Sequence, residues 1–368
     1  MTRAGGSGAI GGSGVSPGWQ GVPPDQPSAA GGGGGVVPPD QHSATALADE
    51  LIGGLRAFAI PMRTRFRGIT VREGALLPGP AGWGEFSPFP EYGPAECARW
   101  LACAMEAATA GWPDPVRDRV AVNVTVPAVP PARAHALVAA SGCATAKVKV
   151  ADAADGGPAA SLPADIARVE AVRDALGPAG RIRVDANGGW DVPAAERALR
   201  ALGRFGLEYA EQPCPDLASL AELRTRVDVP LAADESIRRA SDPLAVRAAG
   251  AADIVVLKAQ PLGGVRAALR VAEACGLPVV VSSAIETSAG LAAGVALAAA
   301  LPELPYACGL ATMSLLTGDV TADPLAPLAG ALPVRRPPVD PQRLAAFEAD
   351  PGPWRARARA AARFLGHR

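Results

Sequence analysis

Short apolar runs rich in valine and isoleucine recur along the chain, and their rhythm constrains the fold more than any other feature. The runs begin near residues 120, 146, 181, 207, 230, 253 and 278. Ala-, Arg- and Glu-rich stretches of helical type lie between them, and the polar residues that end successive runs from Glu211 to Ser282 are 23 or 24 residues apart. That interval is the length of one strand and one helix, so seven or eight units predict a parallel β/α barrel. A doubly wound open sheet is the competing architecture, but no glycine-rich nucleotide fingerprint follows the first strand.

The same rhythm divides the chain into segments. Residues 1–43 are rich in Gly, Pro and Ser and cannot bury enough apolar surface to order themselves, so we predict a disordered tail. Residues 44–131 combine strand-like runs, turn signals and a helical stretch, which indicates a small α+β domain. We expect the barrel in residues 132–314, with its catalytic residues at the carboxyl ends of the strands. Residues 315–368 lack the rhythm and are predicted to pack back on the small domain.

Composition narrows the class of protein. The formal net charge is −1 and apolar residues make up 49% of the chain, which argues against a highly charged disordered protein and against a basic nucleic-acid binder. Six cysteines are widely spaced without a C-x-x-C pair, so we expect reduced structural thiols. No signal peptide is visible, and the apolar stretch Leu291–Leu301 is too short to cross a bilayer. We therefore expect a cytoplasmic protein that binds neither a membrane nor a nucleic acid.

Lysine is rare in this chain and its placement is informative. Only three of the 35 basic residues are lysines, Lys147, Lys149 and Lys258, and all three fall at predicted strand ends. If roughly a tenth of positions are inward-facing strand ends, random placement gives this about once in a thousand. Arginine stays protonated at any accessible pH, whereas a buried lysine can lose its proton. The pattern therefore indicates catalytic lysines.

Three carboxylates end three consecutive strands. Asp185, Glu211 and Asp234 follow the third, fourth and fifth predicted barrel strands, and adjacent parallel strands end at the same rim. Hard oxygen donors without histidine suit Mg²⁺, or Mn²⁺ in its place. Any one of these carboxylates alone is equally explained by a salt bridge to arginine. The set of three beside the lysines favours a metal site.

The remaining polar residues at the strand ends are assigned weaker roles. Supporting roles are predicted for Lys147, Arg183, Asn187 and Glu235, and substrate binding for Ser282 and Ser283. An ordinary strand-end hydroxyl is an equally good account of the two serines. The chain has only three histidines, none at a predicted strand end, so the base must be a lysine. Lys147 and a nearby metal ion would disfavour further positive charge and lower the pKa of Lys149.

Taken in chain order, these residues resemble the enolase superfamily, and within it the muconate lactonizing enzyme subgroup. The matching segments are Ala146–Val150, Arg181–Trp190, Glu211–Cys214, Ala233–Ile237 and Val256–Lys258. Further segments resemble the o-succinylbenzoate synthase family: Pro61–Ile69, Gly82–Phe86, Ser282–Ala284 and Tyr306–Leu310. The resemblance covers about residues 55–330. It implies an α/β fold in which an α+β capping domain closes over a barrel of the enolase type, with cap loops at Met62–Gly68 and Gly82–Pro88.

The resemblance also implies a reaction. The family consists of lyases of menaquinone biosynthesis, which dehydrate 2-succinyl-6-hydroxy-2,4-cyclohexadiene-1-carboxylate to 2-succinylbenzoate. It implies Lys149 as the base beside a Mg²⁺-held carboxylate, and Lys258 as the cation that stabilises the enediolate. An N-acylamino acid racemase or dipeptide epimerase is the nearest alternative, because two lysines on opposite faces of an enolate suit proton transfer equally well. A lysine Schiff-base aldolase and a non-catalytic barrel are weaker alternatives.

Overall fold

A computed structural model describes residues 41–152, 160–239 and 242–366. The predicted disordered tail lies outside the described residues, except for Gln41–Ser43 at the start of the first helix. The helices are α1 (Gln41–Gly53), α2 (Pro94–Thr109), α3 (Pro131–Ser141), α4 (Leu162–Leu176), α5 (Val192–Gly203), α6 (Leu217–Arg224), α7 (Glu235–Arg238), α8 (Ala245–Ala248), α9 (Ala259–Leu262), α10 (Val265–Cys275), α11 (Ser288–Ala300), α12 (Pro341–Ala346) and α13 (Pro351–Ala362). The strands are β1 (Arg56–Phe66), β2 (Ile69–Gly79), β3 (Gly82–Phe86), β4 (Arg119–Ala121), β5 (Val124–Val126), β6 (Thr145–Lys149), β7 (Arg181–Asp185), β8 (Leu207–Glu211), β9 (Leu231–Ala233), β10 (Ile254–Leu257), β11 (Val279–Val281), β12 (Ala331–Pro333) and β13 (Glu348–Ala349).

The predicted parallel β/α barrel is confirmed. In the described part of the chain, seven parallel strands pair in the order β11-β10-β9-β8-β7-β6-β5, and at least one helix lies between successive strands. Val122 bridges Cys308 and Ser282 bridges Gly309, both in parallel. The segment at residues 308 and 309 therefore joins the two edges of the sheet and closes the barrel. Side chains alternate along each strand, so residues such as Lys147 and Lys149 share the inner face.

The barrel begins earlier in the chain than predicted. Strand β5 pairs with β6 through Val124 and Ala146, although β5 lies in the segment 44–131 assigned to the small domain. All three residues of β5 are buried, as in the other central strands of a barrel. The boundary at 131/132 is thus wrong for this strand. It coincides with the start of α3, the first barrel helix, whereas the barrel already begins with strand β5 before that helix.

The capping domain is built around an antiparallel sheet. Its strands, as far as the structure describes the chain, pair in the order β13-β1-β2-β3, and α1, α2 and α13 contribute to the apolar core on this sheet. The C-terminal segment divides between the two domains. Strand β13 pairs with β1 of the cap sheet and helix α13 packs in the cap core, whereas β12 pairs antiparallel with β4, away from the cap sheet.

Helix α11 is buried on nearly all sides. The stretch Leu291–Leu301 is accordingly a core segment between cap and barrel. All six cysteines are buried free thiols. Within the described ranges, no helix combines the length and apolar character needed to cross a bilayer. The cytoplasmic location stays a prediction.

Candidate active site

The carboxyl ends of the barrel strands surround a narrow cavity of about 30 Å³. Its lining includes eight of the predicted residues: Lys147, Lys149, Asp185, Asn187, Asp234, Lys258, Ser282 and Ser283. A larger cleft of about 590 Å³ adjoins it and shares Phe66, Arg67, Lys149 and Asn187 with it. Phe66 and Arg67 belong to the predicted cap loop, so the cap and the barrel together form the walls. The larger cleft is of the size that holds a small-molecule ligand.

Strand register brings Lys149 beside its partners. Lys149 on β6 is the direct neighbour of Asp185 on β7, and Asp185 is the direct neighbour of Glu211 on β8. The Lys149 ammonium donates to Asp185 and to the Asn187 amide oxygen, the latter at 2.7 Å. The Phe66 ring centroid lies 5.4 Å from Lys149 Nζ, which places a cap side chain over the ammonium.

Lys147 lies deeper in the barrel, between two carboxylates. Its Nζ is 2.7 Å from Glu211 Oε1 and 3.1 Å from Asp185 Oδ2, and the side chain is buried. Burial acts to lower the pKa of Lys147, but the charges of Glu211 and Asp185 outweigh it and raise that pKa above its ordinary value. Burial likewise acts to raise the pKa of Asp185, and Lys149 and Lys147 outweigh it, so the pKa of Asp185 is lowered. Lys147 is thus a buried cation, and together with Lys149 it favours the ionised form of Asp185.

Lys258 faces Lys149 from across the barrel. It follows β10, four positions from β6 in the sheet order, which is half the circumference of an eight-position barrel. Its Nζ donates to Asp234 Oδ2 at 2.5 Å. Burial lowers the pKa of Lys258 and Arg238 adds to this effect, while Asp234 opposes it. Two lysines therefore flank the cavity from opposite sides.

The three predicted metal ligands have the right donor chemistry for a divalent cation. Asp185, Glu211 and Asp234 are all buried, and burial together with the negative charge of Asp185 raises the pKa of Glu211 to about 7. Glu211 Oε2 is buried and accepts no hydrogen bond from the described residues. Such an oxygen fits a cation that it would ligate. In the present side-chain arrangement the lysines occupy these carboxylates, and within the described ranges no group of three or more acidic, His or Cys side chains stands ready to hold a metal ion.

The other predicted residues divide into two groups. Asn187 links Lys149 to Glu235, because its Nδ2 donates to Glu235 Oε1 at 3.2 Å while its Oδ1 accepts from Lys149. Ser282 and Ser283 line the cavity, and Ser283 Oγ donates to the Gly309 carbonyl at 2.8 Å. Glu235 lies outside the cavity lining, beside Arg238.

Arg183 is placed differently from expectation. It shares the inner face of β7 with Asp185, but its guanidinium binds Glu208 Oε2 at 2.5 Å and the Ala307 carbonyl at 2.6 Å. A residue two positions back on a strand lies about 6–7 Å further from the rim, and Glu208 supplies the opposite charge there. Arg183 therefore does not line the cavity, and any support it gives acts through the barrel interior.

Sequence reasoning missed several site residues. Arg238 lines the cavity, and its Nε donates to Asp234 Oδ1 at 3.1 Å. The signal was present, because Arg238 follows Asp234 by four residues and thus meets it across one helical turn. Phe66, Thr125 and Thr312 also line the cavity. They come from three distant segments, and no local pattern connects them.

Comparison with known proteins agrees with this geometry. Residues 131–338 match the family of enolase C-terminal domain-like sequences, and residues 57–108 match the enolase N-terminal domain-like family. Among solved structures, the chain is similar to muconate lactonizing enzyme from Pseudomonas fluorescens, with a TM-score of 0.68 at 24% identity over 80% of this chain and 98% of that one. It is also similar to N-succinyl Arg/Lys racemase from Bacillus cereus, with a TM-score of 0.69 at 20% identity over 80% of this chain and 97% of that one. These likenesses establish the fold.

Curated relatives are much more similar. An o-succinylbenzoate synthase from Thermobifida fusca is 70% identical over 306 residues, which is 83% of this chain and 95% of the relative. An o-succinylbenzoate synthase from Mycobacterium ulcerans is 54% identical over 309 residues, 83% of this chain and 91% of the relative. The chain therefore belongs to the o-succinylbenzoate synthase family of the enolase superfamily.

Proposed function

We propose that this chain is a carbon–oxygen lyase that dehydrates 2-succinyl-6-hydroxy-2,4-cyclohexadiene-1-carboxylate to 2-succinylbenzoate in menaquinone biosynthesis. The names of its curated relatives and its membership of the enolase superfamily support this reaction. The observation that carries the mechanism is Lys149, which ends β6 at the junction of the inner cavity and the adjoining cleft. A base at that junction can reach the ring of a substrate whose carboxylate points into the inner cavity.

Lys149 acts first as a base. In its neutral form, Nζ takes the proton from the ring carbon that bears the carboxylate, and the electron pair of that C–H bond moves into the carboxylate as an enediolate; this pair forms the new double bond of the ring only when the C–O bond breaks in the second step. The ammonium so formed then gives a proton to the hydroxyl on the adjacent carbon, and the C–O bond breaks with loss of water. The ring becomes aromatic, so this second step is strongly favourable.

Asp185, Glu211 and Asp234 would hold the divalent cation, for which Mg²⁺ is the metal implied by the family. When bound, such a cation neutralises the substrate carboxylate and the negative charge that develops on it. Lys147 keeps the same role in every state, as a buried cation between Asp185 and Glu211. Arg238 holds Asp234 from the side away from Lys258, since it binds Oδ1 and Lys258 binds Oδ2.

Lys258 supplies the second positive charge. Because Lys258 lies across the cavity from Lys149, its ammonium can stabilise negative charge on the carboxylate without taking part in proton transfer. The succinyl arm would extend into the 590 Å³ cleft, where Arg65 and Arg67 of the cap loop offer positive charge to its terminal carboxylate. Ser282 and Ser283 remain candidates for contacts to the substrate at the opposite wall.

An epimerase or racemase is the second candidate function. The placement of Lys149 and Lys258 on opposite sides of the cavity favours it, because each lysine would face one side of a substrate carbanion. The structural relative named as a racemase is only 20% identical and establishes the fold alone. The two functions therefore have to be separated by reaction.

Turnover of the diene tests the proposal directly. We expect a metal-dependent loss of the long-wavelength ultraviolet band of the conjugated dienyl ketone as the cyclohexadiene becomes a benzene ring. N-succinyl amino acids and dipeptides, assayed by loss of optical rotation, serve as the comparison. If kcat/KM for a dipeptide or an N-succinyl amino acid exceeds kcat/KM for the diene, the protein is an epimerase or racemase and not the proposed lyase.

A further inference from the structure

Helix α4 carries a buried ion pair that the mechanism does not use. Arg168 Nη1 lies 2.7 Å from Asp165 Oδ1, and both residues are almost fully buried. Buried charges are rare unless they are paired and hydrogen-bonded. Neither residue lines the cavity or the cleft. We propose that Asp165 and Arg168 are positioning residues that hold the backbone of Lys149; the inference rests on the proposed role of Lys149 as the base.

Arg168 ties together the ends of two neighbouring strands. Its Nη1 donates to the Lys149 carbonyl at 3.0 Å, and its Nε donates to the Val129 carbonyl at 2.9 Å. Val129 follows β5, and Lys149 is the last residue of β6. The guanidinium is a rigid planar fork. It therefore fixes the distance between the two strand ends at the level of the catalytic lysine.

Asp165 holds the turn by which the chain leaves β6. Its Oδ2 accepts from the Ala151 amide at 3.0 Å and from Ser161 Oγ at 2.9 Å. Ala151 has a φ of 60°, in the left-handed region that costs a residue with a Cβ about 1 kcal/mol or more. A conformation of this kind persists only where surrounding contacts hold it. Asp165 thus stabilises an unfavourable turn two residues after Lys149.

Together these contacts fix the backbone position from which the Lys149 side chain extends. The far end of that side chain is held by Asp185 and Asn187, and these partners must release it when the amine takes a proton. The backbone end is then the part that stays fixed. A displacement of about 1 Å at a reacting group can lower the rate about 100-fold, so loosening the strand end should act on kcat.

Arg173 on the same helix provides a matched control. It also binds backbone carbonyls, namely those of Gly177, Gly180 and Phe205, at 2.7–3.1 Å. These carbonyls precede β7 and β8, at the end of the barrel away from the cavity. Arg173→Met and Arg168→Met therefore each remove bonds from an arginine of this helix to backbone carbonyls; Arg168→Met also removes the ion pair to Asp165, and only this variant touches the strand end that bears Lys149.

The experiment compares Arg168→Met, Arg168→Lys, Asp165→Asn and Arg173→Met with the wild type. We expect Arg168→Met to lower kcat about 100-fold, with KM changed less than about three-fold, while Arg173→Met keeps kcat within about two-fold. Arg168→Lys keeps the charge and can bind one carbonyl, so its kcat should be about ten-fold higher than that of Arg168→Met. Asp165→Asn can still accept a hydrogen bond from the Ala151 amide, so it should lower kcat less than either substitution of Arg168.

A second readout does not depend on turnover. Amide hydrogen exchange of peptides covering residues 146–152, followed by mass spectrometry, should be about ten-fold faster or more in Arg168→Met and unchanged in Arg173→Met. Equal exchange and equal kcat in the two variants would overturn the proposal. If Arg168→Met does not fold, Asp165→Asn and Arg168→Lys carry the same comparison. A wild type that does not dehydrate the diene would overturn the proposed function, while the exchange data would still decide whether the pair holds the strand end.

Discussion

The barrel mouth and the seam between cap and barrel both bury charged side chains, but they satisfy them in different ways. At the mouth, the lysines pair with Asp185, Glu211 and Asp234 around a cavity. At the seam, which consists of Arg72, Glu85, Ser87 and Thr287, the charged groups bind backbone amides, carbonyls and hydroxyls. Burial of charge is common to both regions, and the kind of partner differs.

The seam joins the two domains through a helix cap. Glu85 on β3 reaches from the cap sheet to the start of α11, where its Oε2 accepts from the Thr287 amide at 3.0 Å and the Gly290 amide at 3.1 Å. Its Oε1 accepts from Ser87 Oγ at 2.6 Å. Negative charge at a helix N-terminus satisfies free amides and complements the helix dipole. Glu85 therefore acts as a structural cap supplied by another domain.

Unsatisfied hydrogen-bonding atoms distinguish a ligand site from a structural network. Within the described ranges, the buried side-chain oxygens of Glu85 and Ser87 all have hydrogen-bond partners, whereas Glu211 Oε2 at the mouth has none. A fully satisfied network resists rearrangement. A carboxylate oxygen without a partner, near a cavity, is suited to a ligand. The seam should accordingly govern stability, and the mouth should govern chemistry.

The largest expected effect is at the mouth, from Lys149→Arg. Arginine keeps the charge but cannot act as a base, so we expect kcat for the diene to fall about 10⁴-fold. Lys258→Arg is the matched control and should lose only about 100-fold, because Lys258 need only be a cation. Solvent deuterium exchange into an unreactive carboxylate analogue should depend on Lys149 alone. Equal loss in both variants, with exchange on both faces, would point to the epimerase.

Removal of divalent metal should have the next largest effect. Dialysis against a chelator should lower turnover at least about 10³-fold, because the carboxylates alone cannot neutralise the developing charge, and Mg²⁺ or Mn²⁺ should restore it. Binding of Mn²⁺, measured by electron paramagnetic resonance, should be weakened in Asp185→Asn and unchanged in Glu85→Gln. Full activity in a verified metal-free sample would refute the metal site.

At the seam, the effect should appear in the pH dependence of stability. Burial raises the pKa of Glu85 to about 7, with Arg72 opposing the shift. The folded state then binds the proton more tightly than the unfolded state, so this carboxyl makes the protein less stable as the pH rises from about 4.5 to 7. Glu85→Gln removes that dependence. Its free energy of unfolding relative to wild type should increase by about 2 kcal/mol between pH 5 and pH 8, measured by denaturant titration.

A difference between Glu85→Gln and wild type that stays constant over this pH range would show that Glu85 is ionised throughout. That result would contradict the raised pKa of the Glu85 carboxyl. Activity of the folded Glu85→Gln variant is measured alongside, and we expect kcat within about three-fold of wild type.

The smallest expected effect is that of Ser87→Ala. The substitution removes the hydroxyl that donates to Glu85 Oε1 at 2.6 Å, and a buried acceptor without its donor costs about 1–2 kcal/mol. Thermal or denaturant unfolding should register that loss, and kcat should remain within about two-fold. A loss of kcat comparable to that of Lys258→Arg would break the proposed division between the two regions.

Local patterns in the sequence were enough for much of this architecture. The interval of 23 or 24 residues predicts the strand–helix unit, and the strands of the structure overlap all seven predicted runs. Alternation along a strand predicts that Lys147 and Lys149 share one face, as Arg183 and Asp185 do, without any knowledge of the fold. The boundary at residue 131 failed because the short strand β5 precedes the helical pattern that marked it.

Contacts between distant segments could not be predicted from local sequence patterns. Arg183 and Asp185 share one face of β7, yet Arg183 pairs with Glu208 and lies away from the cavity. Glu85 and Thr287 are 202 residues apart, and Arg168 reaches the Lys149 carbonyl from a different element. Strand and helix periodicities are properties of neighbouring residues. Hydrogen bonds between distant segments depend instead on how the barrel closes and where the cap docks, so local sequence patterns predict the set of candidate site residues and the packed fold fixes their partners.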